Sequence, residues 1–114
     1  MEKKKKFKRG EIWFANLPNL GDSIQYGLRP IVIVSNDLCN RYSSVITVIP
    51  LTSVCKKKKQ PTHIFIEHFN LKNSVAICEQ IITISKNKLS HKICDISKED
   101  LLRIEKGIKI QIGI

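Results

Sequence analysis

The stretch YGLRPIVIVSND, Tyr26 to Asp37, places an arginine and a proline at the mouth of four consecutive branched aliphatics, Ile31 to Val34. The aliphatic run reads as a strand buried on both faces. The guanidinium of Arg29 stays protonated at any physiological pH and requires water or an anion as its partner. It therefore belongs at a rim, beside a core. On the N-terminal side, EIWFANL (11 to 17) has the aromatic and β-branched content of a strand, closed by Pro18 and the turn-rich PNLGDS. On the C-terminal side, Ser35, Asn36 or Asp37 caps a short helical turn through Cys39 to Arg41. SVITVIPLTS (44 to 53) is a third strand, in which Pro50 implies an edge or a bulge near the end. THIFIE (62 to 67) alternates as a half-buried strand, and SVAICEQIITIS (74 to 85) forms one or two more, bent near Glu79 and Gln80. From Ser97 the period changes. SKED has the form of a capping box with an acid at its fourth position, and Leu101, Leu102, Ile104 and Ile108 fall at helical spacing. The expected fold is mainly β with a C-terminal helix: five to seven short strands in a small, strongly curved sheet or partly open barrel. No internal repeat or long linker divides the chain, so residues 1–114 are expected to form one domain, with 1–8 as a basic tail.

The chain carries twenty basic and ten acidic residues, a formal net charge of +10, which favours polyanionic partners and nucleic acid first among them. Half of the basic residues lie in two tracts: six within residues 1 to 10 and four in Lys56 to Lys59. These tracts are either solvated, solubilising segments or phosphate-attracting patches that do not read sequence. Four cysteines, Cys39, Cys55, Cys78 and Cys94, form no CxxC pair. With no secretory signal pattern they are expected to be reduced thiols of a cytoplasmic protein. The longest uncharged stretch, Tyr42 to Cys55, is too short and too polar to cross a bilayer.

His63, His68 and His91 have no HExxH or HxxxH spacing, no acidic pair is placed to hold Mg²⁺, and neither a GxSxG elbow nor a P-loop occurs. Any catalysis is expected to be free of metals and other cofactors. If Arg29 opens one strand and Thr52 with Ser53 closes another, an antiparallel pairing sets a guanidinium beside two hydroxyls at one sheet edge. A planar fork of donors suits a phosphate and can steady the charge on a pentacoordinate phosphorus. An Arg-Pro strand start and a Thr-Ser strand end are also common structural features.

RGEIWFANL, GLRPIVIVSND with NR behind it, VITVIPLTS, PTHIFI and SVAICEQIITISKNKL occur in the order and at nearly the spacing of the MazF/PemK toxin family, which the chain resembles from about Arg9 to Leu89. The resemblance implies a small SH3-like, CcdB-type barrel with a terminal helix, usually a homodimer, acting as the toxin of a type II toxin-antitoxin pair. It implies a metal-independent endoribonuclease that cuts single-stranded RNA at short sequences, leaving a 2',3'-cyclic phosphate and a 5'-hydroxyl, and that inhibits translation and growth. The family's catalytic arginine and threonine match Arg29 and Thr52. Its RNA-groove positions fall on Gln25, Asn36, His63 and Gln80, with Ser53 beside the threonine. Tyr26 is a candidate base-stacking residue, and Lys56, Lys57 and Lys58 are candidates for backbone attraction. Relatives often carry GSEQGG before the Arg-Pro where this chain has DSIQYG, so a target sequence does not transfer. Glu79 is a candidate anion for holding Arg29. A cognate antitoxin with an acidic segment is the expected protein partner. Two other classes share these features: a non-catalytic CcdB-like gyrase poison, and a basic RNA-binding module.

Overall fold

The computed structural model describes residues 5–53, 60–68 and 71–114, and runs β1 (Glu11–Leu17), β2 (Gly27–Ile33), α1 (Asp37–Tyr42), β3 (Val45–Ser53), β4 (His63–His68), β5 (Leu71–Ile77), β6 (Ile82–Ser85), β7 (Leu89–Asp95) and α2 (Lys98–Ile112). The strands follow the path β4-β5-β3-β2-β1-β7, with β6 joined to β3, and every pairing is antiparallel. Among the described residues β4 and β7 do not pair with each other, so the seven-stranded sheet is open and does not close into a barrel.

Strand β3 is the hinge of this architecture. Its first half pairs with β6 through Val45 to Val48, and its last three residues pair with β5 through Leu51 to Ser53. Pro50 falls between these two ladders, and its pairing with Ile31 is the last of the β2–β3 ladder. Proline cannot complete a two-sided ladder because it has no N–H. Here it marks a partner switch in a central strand and not a sheet edge. Pro30 stands just beyond the other end of that pair. Strands β2 and β3 therefore part at two prolines.

Apolar residues cover both faces of the sheet. One face gathers Trp13, Ala15, Ile31, Ile33, Ile46, Val48 and Ile84. The other gathers Ile12, Val32, Ile49, Leu51, Ile64, Ile66 and Ala76, and buries Ile104 of α2 against them. Two-sided burial of Ile31 to Val34 follows the expectation for the aliphatic run. Phe7, which the sequence reading left in the basic tail, lies in the first cluster with its ring edge-on to Trp13 at 4.8 Å between centroids. The Nζ of Lys5 donates to the Leu89 and Ser90 carbonyls, so the described part of that segment is tied down.

Helix α2 begins where the SKED pattern places it, with Ser97 Oγ accepting from the Asp100 N–H. It ends at Gly113, whose φ of +76° is the left-handed conformation that glycine adopts without steric cost. Leu102, counted with the apolar stripe, is 58% exposed, because the helix lies on the sheet through Ile104 and Gly107. Strand β7 has no counterpart in the sequence reading. Its residues LSHKICD lack alternation, and β1 recruits them across two register shifts.

Candidate active site

The ladder between β2 and β3 runs with Ile31 opposite Pro50, Val32 opposite Ile49 and Ile33 opposite Val48. Arg29 and Thr52 each lie two positions beyond its last pair, at the same end of their two strands. Side chains alternate along a strand, which puts both on the face that carries Ile31, Ile33, Ile46 and Val48. The apolar cluster stops where the strands part, and this polar pair follows it. Alternation separates the two hydroxyls, however. Thr52 shares the Arg29 face, whereas Ser53 pairs with the buried Ser74 on the opposite one.

Arg29 is exposed, and its Nε donates to the Tyr26 carbonyl at 3.1 Å. Among the described residues no carboxylate lies within ion-pairing distance of it. Its Nε is thus fixed by the preceding loop while the terminal fork is directed at solvent. Glu79 does not hold it. The Glu79 carboxylate accepts from Thr62 Oγ1 at 2.9 Å and pairs with His63 Nε2 at 2.8 Å. Burial by itself raises the Glu79 pKa, but its own backbone N–H and the His63 and Thr62 hydrogen bonds outweigh that and hold the carboxyl below its ordinary value. His63 is therefore an oriented, partly exposed imidazole at the start of β4.

The loop between β1 and β2 is strapped down by Gln80. Its Oε1 accepts from the Gln25 N–H at 2.8 Å and its Nε2 donates to the Ser23 carbonyl at 2.9 Å. Both ends of the amide are engaged, so Gln80 sets the loop that carries Gln25, Tyr26 and, through Tyr26, Arg29. Gln25 Oε1 is buried with no hydrogen-bond partner among the described residues. Tyr26 is 53% exposed beside Arg29. Asn36 stands apart: its Oδ1 accepts from the Cys39 N–H and caps α1. Lys56, Lys57 and Lys58 lie outside the described residues.

Arg9, counted among the basic tract, has a structural task. Its N–H donates to Asp37, its Nε to the Val34 carbonyl, and its guanidinium pairs with Glu105 of α2. The buried Glu11 likewise accepts from Lys8 N–H and Trp13 Nε1 and pairs with Lys92. A cleft of about 590 Å³ lies between α1, β3 and α2 and is lined by neither Arg29 nor Thr52. Among the described residues no three His, Cys, Asp or Glu side chains gather as a metal site, and no helix is long and apolar enough to cross a membrane. The sequence reading missed the Thr62–Glu79–His63 cluster, because nothing local announces a contact across 16 or 17 residues.

Residues 8–112 match the family model described as the PemK-like, MazF-like toxin of type II toxin-antitoxin systems. The chain is 36% identical over 110 residues to an endoribonuclease MazF of Staphylococcus saprophyticus, covering 94% of this chain and 92% of that protein. Its fold resembles the crystal structure of MazF from Deinococcus radiodurans, with a TM-score of 0.85 at 14% identity over 97% of this chain and 100% of that one. It also resembles a mycobacterial endoribonuclease solved in complex with its cognate antitoxin, with a TM-score of 0.77 at 23% identity over 94% and 95% of the two chains. The chain belongs to the PemK-like, MazF-like toxin family of type II toxin-antitoxin systems, the family of the endoribonucleases MazF.

Proposed function

We propose that this endoribonuclease toxin cuts single-stranded RNA at short sequence motifs, without a metal, through Arg29 and Thr52. The substrate's 2'-oxygen attacks the adjacent phosphorus, the bond from phosphorus to the 5'-oxygen breaks, and that oxygen leaves as a hydroxyl with a proton. The products are a 2',3'-cyclic phosphate and a 5'-hydroxyl. Arg29 holds the non-bridging oxygens and the charge that builds on them, because a guanidinium is too weak an acid to carry protons near neutrality. Thr52 donates to the phosphate and orients the 2'-hydroxyl. Gln25, Tyr26, His63 and Gln80 border the groove that receives the flanking nucleotides.

The observation that carries this reading is the exposed Arg29, with no carboxylate partner among the described residues, just beyond the same end of the β2–β3 ladder as Thr52. The test is incubation with a long single-stranded RNA in excess EDTA, with every cut end mapped, beside Arg29→Ala. Discrete cuts that share a motif and vanish in the variant support the reading. Intact RNA together with trapped, cleaved DNA transfers it to a topoisomerase poison. Arg29→Lys keeps the charge and loses the fork, and kcat is expected to fall about 100-fold, the scale of losing one preorganised donor. Near wild-type cleavage by that variant removes the bidentate role.

The unit that works is the whole chain as one domain of the SH3-like, CcdB-type kind, paired as a homodimer and acting in the cytoplasm. Its inhibitor is a cognate antitoxin that lays an extended acidic segment along the groove, where carboxylates compete for groups built for phosphate. The mycobacterial relative solved with its antitoxin and the net charge of +10 support this partner.

A further inference from the structure

Beyond Thr52, the face that carries the proposed catalytic pair continues across two more strands. Thr52 pairs with Val75 of β5, and Val75 pairs with Phe65 of β4. Directly opposed residues of an antiparallel sheet point the same way, with strands about 4.8 Å apart. Thr52, Val75 and Phe65 therefore form one row on one face, and the ring begins about 10 Å from the threonine. The alternate row, Leu51, Ala76 and Ile64, is buried beneath α2 at 1%, 0% and 9% exposure, so the row with Phe65 is the one that faces outward. Phe65 is 40% exposed. Strand β4 ends the sheet path, and at that edge Arg103 of α2 donates its Nη1 to the Phe65 carbonyl at 2.7 Å. His63 stands two residues earlier on the same face, held by Glu79.

A single exposed apolar residue is ordinary on a protein surface. Phe65 differs in its place: a partly exposed aromatic aligned with the threonine, with an oriented imidazole beside it and half-buried Val75 between them. Single-stranded RNA presents unstacked bases, which stack on such aromatic faces. We propose that Phe65 is a specificity-determining residue of the RNA cut, its ring being the platform for the base of a nucleotide that flanks the scissile phosphate. Purines, with the larger stacking face, are preferred there. This role rests on the placement of the cut at Arg29 and Thr52, and the experiment separates the two.

Cleavage is measured on a single-stranded RNA library randomised around the mapped motif, with Phe65→Ala, Phe65→Leu and Phe65→Trp. Affinity is measured in parallel on a single strand carrying a 2'-O-methyl group at the cut. Phe65→Ala is expected to lower kcat/KM about tenfold, within the roughly 5- to 150-fold range for loss of one base stack. The loss should lie mainly in KM, with the base preference flattened at one position and the cut site unmoved. Phe65→Trp is expected to retain both, and Phe65→Leu to behave as Phe65→Ala because it has bulk without a ring face. Wild-type kcat/KM and motif in Phe65→Ala overturn the proposal. So does Phe65→Leu matching the wild type, or a changed oligomeric state with unchanged base preference. Arg29→Ala is expected to bind the blocked strand with its dependence on Phe65 intact. If Arg29→Ala instead cleaves normally, the catalytic reading fails independently of the platform.

Discussion

At the scale of single residues, the candidate site is held by second partners behind the side chains proposed to face RNA. Arg29 is aimed by a loop carbonyl, that loop is strapped by Gln80, and His63 is oriented by Glu79. Glu79→Gln is expected to loosen the imidazole and raise KM with a smaller change in kcat, as steady-state kinetics on a short RNA would show. The same carboxyl links stability to pH. Its folded pKa is depressed, so its contribution is fully present above the unfolded value near 4.5 and is lost as pH falls through the folded one. Asp37 behaves alike: the Arg9 N–H bond holds it below its ordinary 3.8. Thermal melts between about pH 3 and 7 should show stability declining below about pH 4.5 in the wild type and a shallower decline in Glu79→Gln. In the sequence, the strand ends carrying Arg29 and Thr52 were legible from residue type, whereas His63 entered only through the resemblance to the family. Glu79, a candidate anion for Arg29 in the sequence, meets His63 and Thr62 instead, because which groups a carboxylate reaches depends on distance across strands.

Between elements, α2 packs closely on the turn at Cys78–Gln80. A Cβ on Gly107 would lie 2.6 Å from Cys78 Sγ and 3.3 Å from Ile64 Cγ1. Gly107→Ala gains about 1 kcal/mol of helix propensity but overpacks a seam where such insertions cost roughly 1–3 kcal/mol. A net loss of about 1 kcal/mol is expected by denaturant melts. Because Gln80 lies in the same turn, kcat should fall as well. Adding Cys78→Ala should recover most of both, and a double-mutant cycle without coupling would refute the seam. Cys78 itself is chemically quiet: burial, with the Glu79 charge, raises its pKa to about 11. The other end of the helix offers a simpler check. Ser97→Ala removes the cap of the Asp100 N–H and is expected to cost about 1 kcal/mol in the same melts.

On the scale of the whole molecule, a net charge of +10 on 114 residues makes association with RNA largely electrostatic. Anisotropy with the blocked single strand should give a log affinity that falls linearly with log salt, by about 0.7 for each phosphate neutralised. Arg29→Ala should flatten that slope by about 0.7, the share of one contact, and an unchanged slope would place Arg29 away from the phosphates. The sequence by itself determined the strand run at Ile31 to Val34, the capped helix from Ser97 and the basic character, because alternation, capping and charge are local and survive any packing. The partner switch in β3 was decided only by the tertiary structure. Pro50 reads locally as an edge or a bulge, yet it stands in a central strand where two different neighbours meet. Recruitment of β7 was likewise non-local, since a half-exposed strand without alternation exists only where β1 offers it a ladder. The division of Thr52 from Ser53 came the same way: in a sheet, adjacent residues of β3 take opposite faces, and the pairings of β3 with β2 and β5 decide which face each hydroxyl takes.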